Sequence, residues 1–85
     1  MSDDDAIVFE QIITERNAAK QELAVLSGRR VEALVYVAKG MHSGEIAKLM
    51  GVSVKTAENH LQRVRDTLGM TTIEAVVLAA KAGIV

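Results

Sequence analysis

Apolar residues recur at helical spacing along nearly the whole chain, and almost nowhere do they alternate in the way a half-buried strand requires. The pattern is most regular from Ser43 to Gly69. Ile46, Ala47, Leu49 and Met50 place one face of a short helix inward, and Ala57, Leu61, Val64 and Leu68 recur at steps of four, three and four in a longer one. Between them Gly51 is suited to the left-handed conformation that ends a helix, and Ser53 supplies a hydroxyl to cap the next. The stretch therefore predicts a helix-turn-helix. Lys55, Asn59, Gln62, Arg63 and Arg65 fall on the outer side of its second helix, a set suited to the major groove of DNA. The competing reading is a helical hairpin with a merely solvated outer face.

Three further helices are predicted around this unit. The first runs from about Asp3 to Leu23, opened by a capping-box-like Ser2 and Asp5, with three aspartates at the positive end of its dipole. Its apolar positions Val8, Phe9, Ile12, Ala19, Leu23 and Leu26 approximate a three-four repeat, broken at Glu15 and Arg16. Ile7, Val8 and Phe9 are consecutive, and with Ile12 and Ile13 they cannot share one face when each residue turns by about 100°. Burying them takes a second chain, or contacts from this chain on two sides. Ser27 opens the next helix, with Val31, Leu34, Val35 and Ala38 inward and Gly40 just past its end. Thr71 and Glu74 form a capping box for a last helix of about Thr72 to Ala82, closed by Gly83. That helix is apolar nearly all round, which marks it as a subunit interface. It is too short for a membrane, whose hydrocarbon layer takes about 20 apolar residues to cross.

Composition narrows the reading. With 85 residues the chain makes one small all-α domain, and such domains bury only roughly 60% of their unfolded surface, so dimerisation is an expected source of stability. There is no Cys and no Pro, and Phe9 and Tyr36 are the only aromatics, so the core is aliphatic and a reducing cytoplasm is the expected compartment. No secretory signal precedes the first helix. The net charge of −1 is divided unevenly. Residues 1–25 hold six acids against two bases, a balance of −4, and residues 26–85 hold eight bases against five acids, a balance of +3. The positive charge thus lies with the helix-turn-helix, at a level that predicts few phosphate contacts and a shallow salt dependence. No phosphate loop, nucleophile with a base, or acid pair in an apolar setting is present, so an enzyme is not expected. His42 and His60 are the only imidazoles, so neither a metal nor another cofactor is expected.

Leu26, Ser27, Arg29, Glu32, Leu34, Ala38, Gly40, Glu45, Ile46, Ala47, Leu49, Gly51, Val52, Ser53, Thr56, His60, Leu68, Gly69 and Ala75 together resemble the LuxR-type (GerE-, FixJ- and NarL-like) helix-turn-helix domain. The resemblance covers residues 26–85 and implies a four-helix bacterial transcription regulator whose third helix, about residues 54–68, enters the major groove and whose fourth pairs two subunits. The 1–25 helix would be a separate contact for dimerisation or a partner. Carried over, Glu58, Asn59 and Gln62 fall at base-reading positions, and Lys55, Thr56, Arg63 and Arg65 fall near phosphates. Asn59 and Gln62 suit adenine, and Glu58 suits the amino group of cytosine. Ile73, Val76, Val77 and Ala80, with Phe9 and Ile12, are the expected dimer contacts.

This chain departs from the family pattern at several points. Glu58 and Thr67 stand where lysines are usual, Arg30 replaces a glutamate, and the Met70 to Ile73 connector is one residue shorter and lacks its arginine. His42 replaces the serine that caps the scaffold helix, with Ser43 the nearest hydroxyl to take over. The leading expectation is a homodimeric, sequence-specific DNA-binding regulator without a sensory domain, needing no small-molecule ligand. The alternative is an antagonist that heterodimerises with a larger LuxR-type regulator and blocks its DNA binding, motivated by Glu58, Thr67 and the acidic first helix.

Overall fold

The computed structural model describes residues 3–85, and the side chains of residues 8–85. It consists of five helices, α1 (Asp3–Leu23), α2 (Gly28–Ala38), α3 (Ser43–Met50), α4 (Val54–Leu68) and α5 (Thr72–Lys81), with no strand among the described residues. The expected opening of α1 by Ser2, its aspartate side chains and Ile7 lie outside what is described.

The helix ends are set locally. Ser27, Ser53 and Thr71 each cap the helix that follows, and Thr71 and Glu74 complete the reciprocal capping box. Gly51 ends α3 at φ 68°, where a side chain would be strained, and the Val52 amide returns to the Ala47 carbonyl at 3.0 Å. The cap of α3 differs from expectation. His42, and not Ser43, holds that position: its Nδ1 accepts from the Gly44 amide at 3.1 Å, and Ser43 is already the first helical residue. The His42 Nε2 lies 3.1 Å from Glu45 Oε1, so the neutral tautomer with its proton on Nε2 satisfies both contacts.

Two adjoining aliphatic clusters form the core. One gathers Ile46, Ala47 and Met50 of α3 with Ala57 and Leu61 of α4 and Ala33 of α2. The other joins Leu34 and Val64 to Ala75, Leu78 and Ala79 of α5, and to Ala19, Leu23 and Leu26. The end of α1 therefore docks on α5, where the Arg16 side chain also crosses the backbone of Gly83 at the negative end of that helix. Residues 8–18 of α1 are all exposed, Val8, Phe9, Ile12 and Ile13 included. The domain consequently extends 52 Å along one axis and about 20 Å along the others.

Several residues assigned inward are not fully buried, Val31 and Leu68 among the half-buried ones. Leu49 is 55% exposed, because a turn of about 100° per residue carries it to the outer edge of the face made by Ile46, Ala47 and Met50. In α2, Val35 and Ala38 are only half-buried, and Ala33 is fully enclosed beside Leu34.

A polar relay fixes the turn between α3 and α4. Arg29 donates to the Met50 carbonyl at 2.7 Å and to Glu32 Oε2 at 3.2 Å, and the Tyr36 hydroxyl donates to Glu32 Oε1 at 3.3 Å. Desolvation of the phenol, reinforced by the Glu32 carboxylate, raises the Tyr36 pKa above its ordinary 10.0, so it remains a donor throughout the neutral range. Arg29 thus occupies one of the carbonyls left open where α3 ends. Replacing it with alanine should cost about 1–2 kcal/mol, a charge-assisted bond partly screened by solvent. A thermal melt reads this as a midpoint several degrees lower, and an unchanged midpoint would show that water substitutes for the guanidinium.

Candidate nucleic-acid interface

α4 is anchored by Ala57, Leu61 and Val64, which are buried, and by Leu68 packed against the core. That fixes which side chains face outward. At about 100° per residue, Lys55, Asn59, Gln62 and Asp66 share the middle of the outer face. Thr56, His60 and Arg63 turn to the edge beside α2, and Glu58 and Arg65 to the opposite edge, near the start of α5.

Glu58, Asn59 and Gln62 are exposed, as are Lys55 and Arg63, whereas Thr56 and Arg65 are half-buried. The Thr56 hydroxyl accepts from Ser53 Oγ at 2.9 Å, which ties it to the cap of α4. Arg65 is turned away from the middle of the outer face. It donates to Thr72 Oγ1 at 2.8 Å and to Gln62 Oε1 at 2.6 Å, while Gln62 Nε2 donates to Asp66 Oδ1 at 2.8 Å. Gln62 is therefore held at both ends of its amide, and Arg65 couples α4 to the first turn of α5. Asn59 takes part in none of the side-chain hydrogen bonds among the described residues, so both halves of its amide are available to a base edge.

Among the described residues Arg29 pairs with Glu32, and His42 contacts Glu45, so Lys55, Arg63 and Arg30 carry no carboxylate partner there. Arg30 was not among the candidates. It lines the same polar groove as Asn59, His60 and Arg63, and its nearness to them depends on how α2 packs beside α4. No spacing in the chain signals it. No group of three His, Cys, Asp or Glu residues suited to a metal occurs among the described residues, and no helix there is long and apolar enough to cross a membrane.

The expected subunit contacts divide in a similar way. Ile73, Val77 and Ala80 of α5 are exposed, Ile73 to 77%, as are Phe9 and Ile12. Val76 is half-buried against its own core. Met70, Ile73, Val77 and Leu78 line a shallow, mainly apolar groove.

This helix-turn-helix corresponds to a known family model. Residues 16–68 match Sigma-70, region 4, a span that takes in the last eight residues of α1 and all of α2, α3 and α4. The chain belongs to the Sigma-70 region 4 family. The match covers more than half of the chain, and it takes in Ala19 and Leu23, the residues by which α1 enters the core.

Two curated proteins are similar to this family member. Transcriptional regulatory protein TdiR of Thauera aromatica is 39% identical over 69 residues, covering 76% of this chain and 30% of TdiR. The Holliday junction branch migration complex subunit RuvA of Azoarcus sp. (strain BH72) is 34% identical over 85 residues, covering 96% of this chain and 43% of RuvA. The chain thus spans less than half the length of either relative.

Proposed function

We propose that the chain is a sequence-specific DNA-binding transcription regulator that works as a homodimer, with α4 in the major groove. The observation that carries this reading is the outer face of α4, where Asn59, with no side-chain partner among the described residues, stands between exposed Lys55 and Arg63 on a helix fixed by its buried side. Membership of the Sigma-70 region 4 family and similarity to a transcriptional regulatory protein support it. Glu58, Asn59 and Gln62 meet base edges, and Lys55, Thr56, Arg63 and Arg65 lie towards the backbone. Within that frame the domain is of LuxR type, and Ile73, Val76, Val77 and Ala80, with Phe9 and Ile12, pair the subunits. The protein acts in the cytoplasm on duplex DNA and uses neither a cofactor nor a small-molecule ligand.

The test is selection from random duplexes at low salt, with a four-way junction as competitor because of the RuvA similarity. A recurring enriched sequence is expected. Absence of enrichment, or a preference for the junction over any duplex, would defeat the regulator reading.

For the subunit contact, Phe9→Ser combined with Ile12→Ser should convert a dimer to a monomer in sedimentation without loss of helix content, since both side chains are more than half exposed in the single chain. A dimer that survives both changes would remove α1 from the interface.

Glu58 favours a second reading. Exposed on α4, its carboxylate opposes phosphate, as expected of an antagonist that captures a larger LuxR-type regulator. If only Glu58→Lys binds duplex, and the parent chain instead pulls down such a regulator, the antagonist reading replaces the first.

A further inference from the structure

The polar groove between the start of α2 and α4 brings together side chains that are far apart in the chain. Arg30 forms one wall, and Thr56, Asn59, His60 and Arg63 form the other, with Asp66 at the far end. Neither arginine has a carboxylate partner among the described residues. α2 has no acid in its first turn, so the positive end of its dipole also lacks a counter-charge. Its other arginine, Arg29, is directed to Met50 and Glu32 and does not share this duty.

We propose that this groove is a seat for a DNA backbone phosphate, gripped by Arg30 from α2 and Arg63 from α4, with His60 beside them. The assignment rests on the duplex-binding reading above and adds to it a contact from outside α4. Two arginines lining one groove, from different helices, suit a phosphodiester, because a guanidinium presents a planar fork of N–H donors to its oxygens. The one anion in the groove, Asp66, is already an acceptor for Gln62 Nε2. It stands three residues from Arg63, roughly 4.5 Å along α4, so the phosphate sits on the Thr56 and His60 side of Arg63, away from that carboxylate. Glu58 is on the opposite edge of α4, turned from Arg63 by about 140°. Its repulsion therefore falls on a different part of the backbone.

A phosphate held here would also serve recognition. Asn59 lies on the rim of the same groove, so a fixed contact beside it sets the depth and register at which its amide meets a base. The sequence information stays with Asn59. Arg30 supplies position and charge.

The test is the salt dependence of binding, read by fluorescence anisotropy with the full chain and a mixed-sequence duplex. Each phosphate contact contributes about 0.9 to the slope of log affinity against log salt. Arg30→Ala should make the slope shallower by about 0.9, so that its deficit against the parent shrinks about 3.5-fold between 50 and 200 mM salt. Arg30→Lys should retain the parent slope, as should Lys39→Ala, which removes an exposed cation at the other end of α2 and outside the groove. A circular dichroism melt confirms that each variant is folded. An Arg30→Ala slope equal to the parent's overturns the seat and leaves the regulator reading standing. Equal losses for Arg30→Ala and Lys39→Ala would assign the effect to the general field of the domain and likewise overturn it. A parent chain that binds no duplex even at low salt removes the regulator reading, and the seat with it.

Discussion

Truncating Leu34 to alanine is expected to destabilise the domain by about 2–5 kcal/mol. Leu34 has no exposed surface and lies in the cluster where Val64 of α4, Ala75 and Ala79 of α5 and Leu23 of α1 meet. Removing its isopropyl group leaves a cavity lined from α1, α4 and α5, so no single helix can shift to fill it without opening another contact. A domain this small has a total stability near the lower end of about 5–15 kcal/mol. With a shift of about 4–8 °C per kcal/mol, the melting midpoint should fall by roughly 8–40 °C. Leu49→Ala is the matched control. The same chemistry at a position 55% exposed should change stability by no more than about 0.5 kcal/mol. Similar midpoints for the two variants would contradict the burial pattern on which the placement of α4 depends.

Asn59→Ala is expected to weaken binding to a selected duplex by about 5- to 150-fold and to relax the preference at one base position. Its effect on a non-specific duplex should be small, because the amide carries no net charge. Gln62→Ala should lose less. Asp66 and Arg65 already hold its amide, so a base contact by Gln62 competes with bonds of 2.8 and 2.6 Å. Competitive binding with a site mutated at each position separates the two cases. If Asn59→Ala weakens all sequences alike, the residue contacts backbone, and another part of the chain reads the site.

These two expectations draw on different information. That Leu34 and Asn59 lie on opposite sides of the fold was legible in the chain, since one belongs to the apolar stripe of α2 and the other to the polar face of α4. That Asn59 is free while Gln62 is held was not. Both are amides on one helix face, and what separates them is Arg65, whose other guanidinium nitrogen reaches Thr72 on the next helix.

The sequence alone determined the number of helices, most of their ends and the helix-turn-helix itself. Those features depend on interactions within a few residues: apolar side chains three and four apart, hydroxyls that cap the amides just ahead, and glycines that take positive φ. The tertiary structure decided which part of α1 is core and which is left exposed, turned Leu49 outward and Arg65 towards α5, joined Arg29 to the end of α3, and placed Arg30 across a groove from Arg63. A repeat of apolar residues fixes the face that a helix buries, but the angle and depth at which two helices pack determine which residues at the edge of that face meet a neighbour.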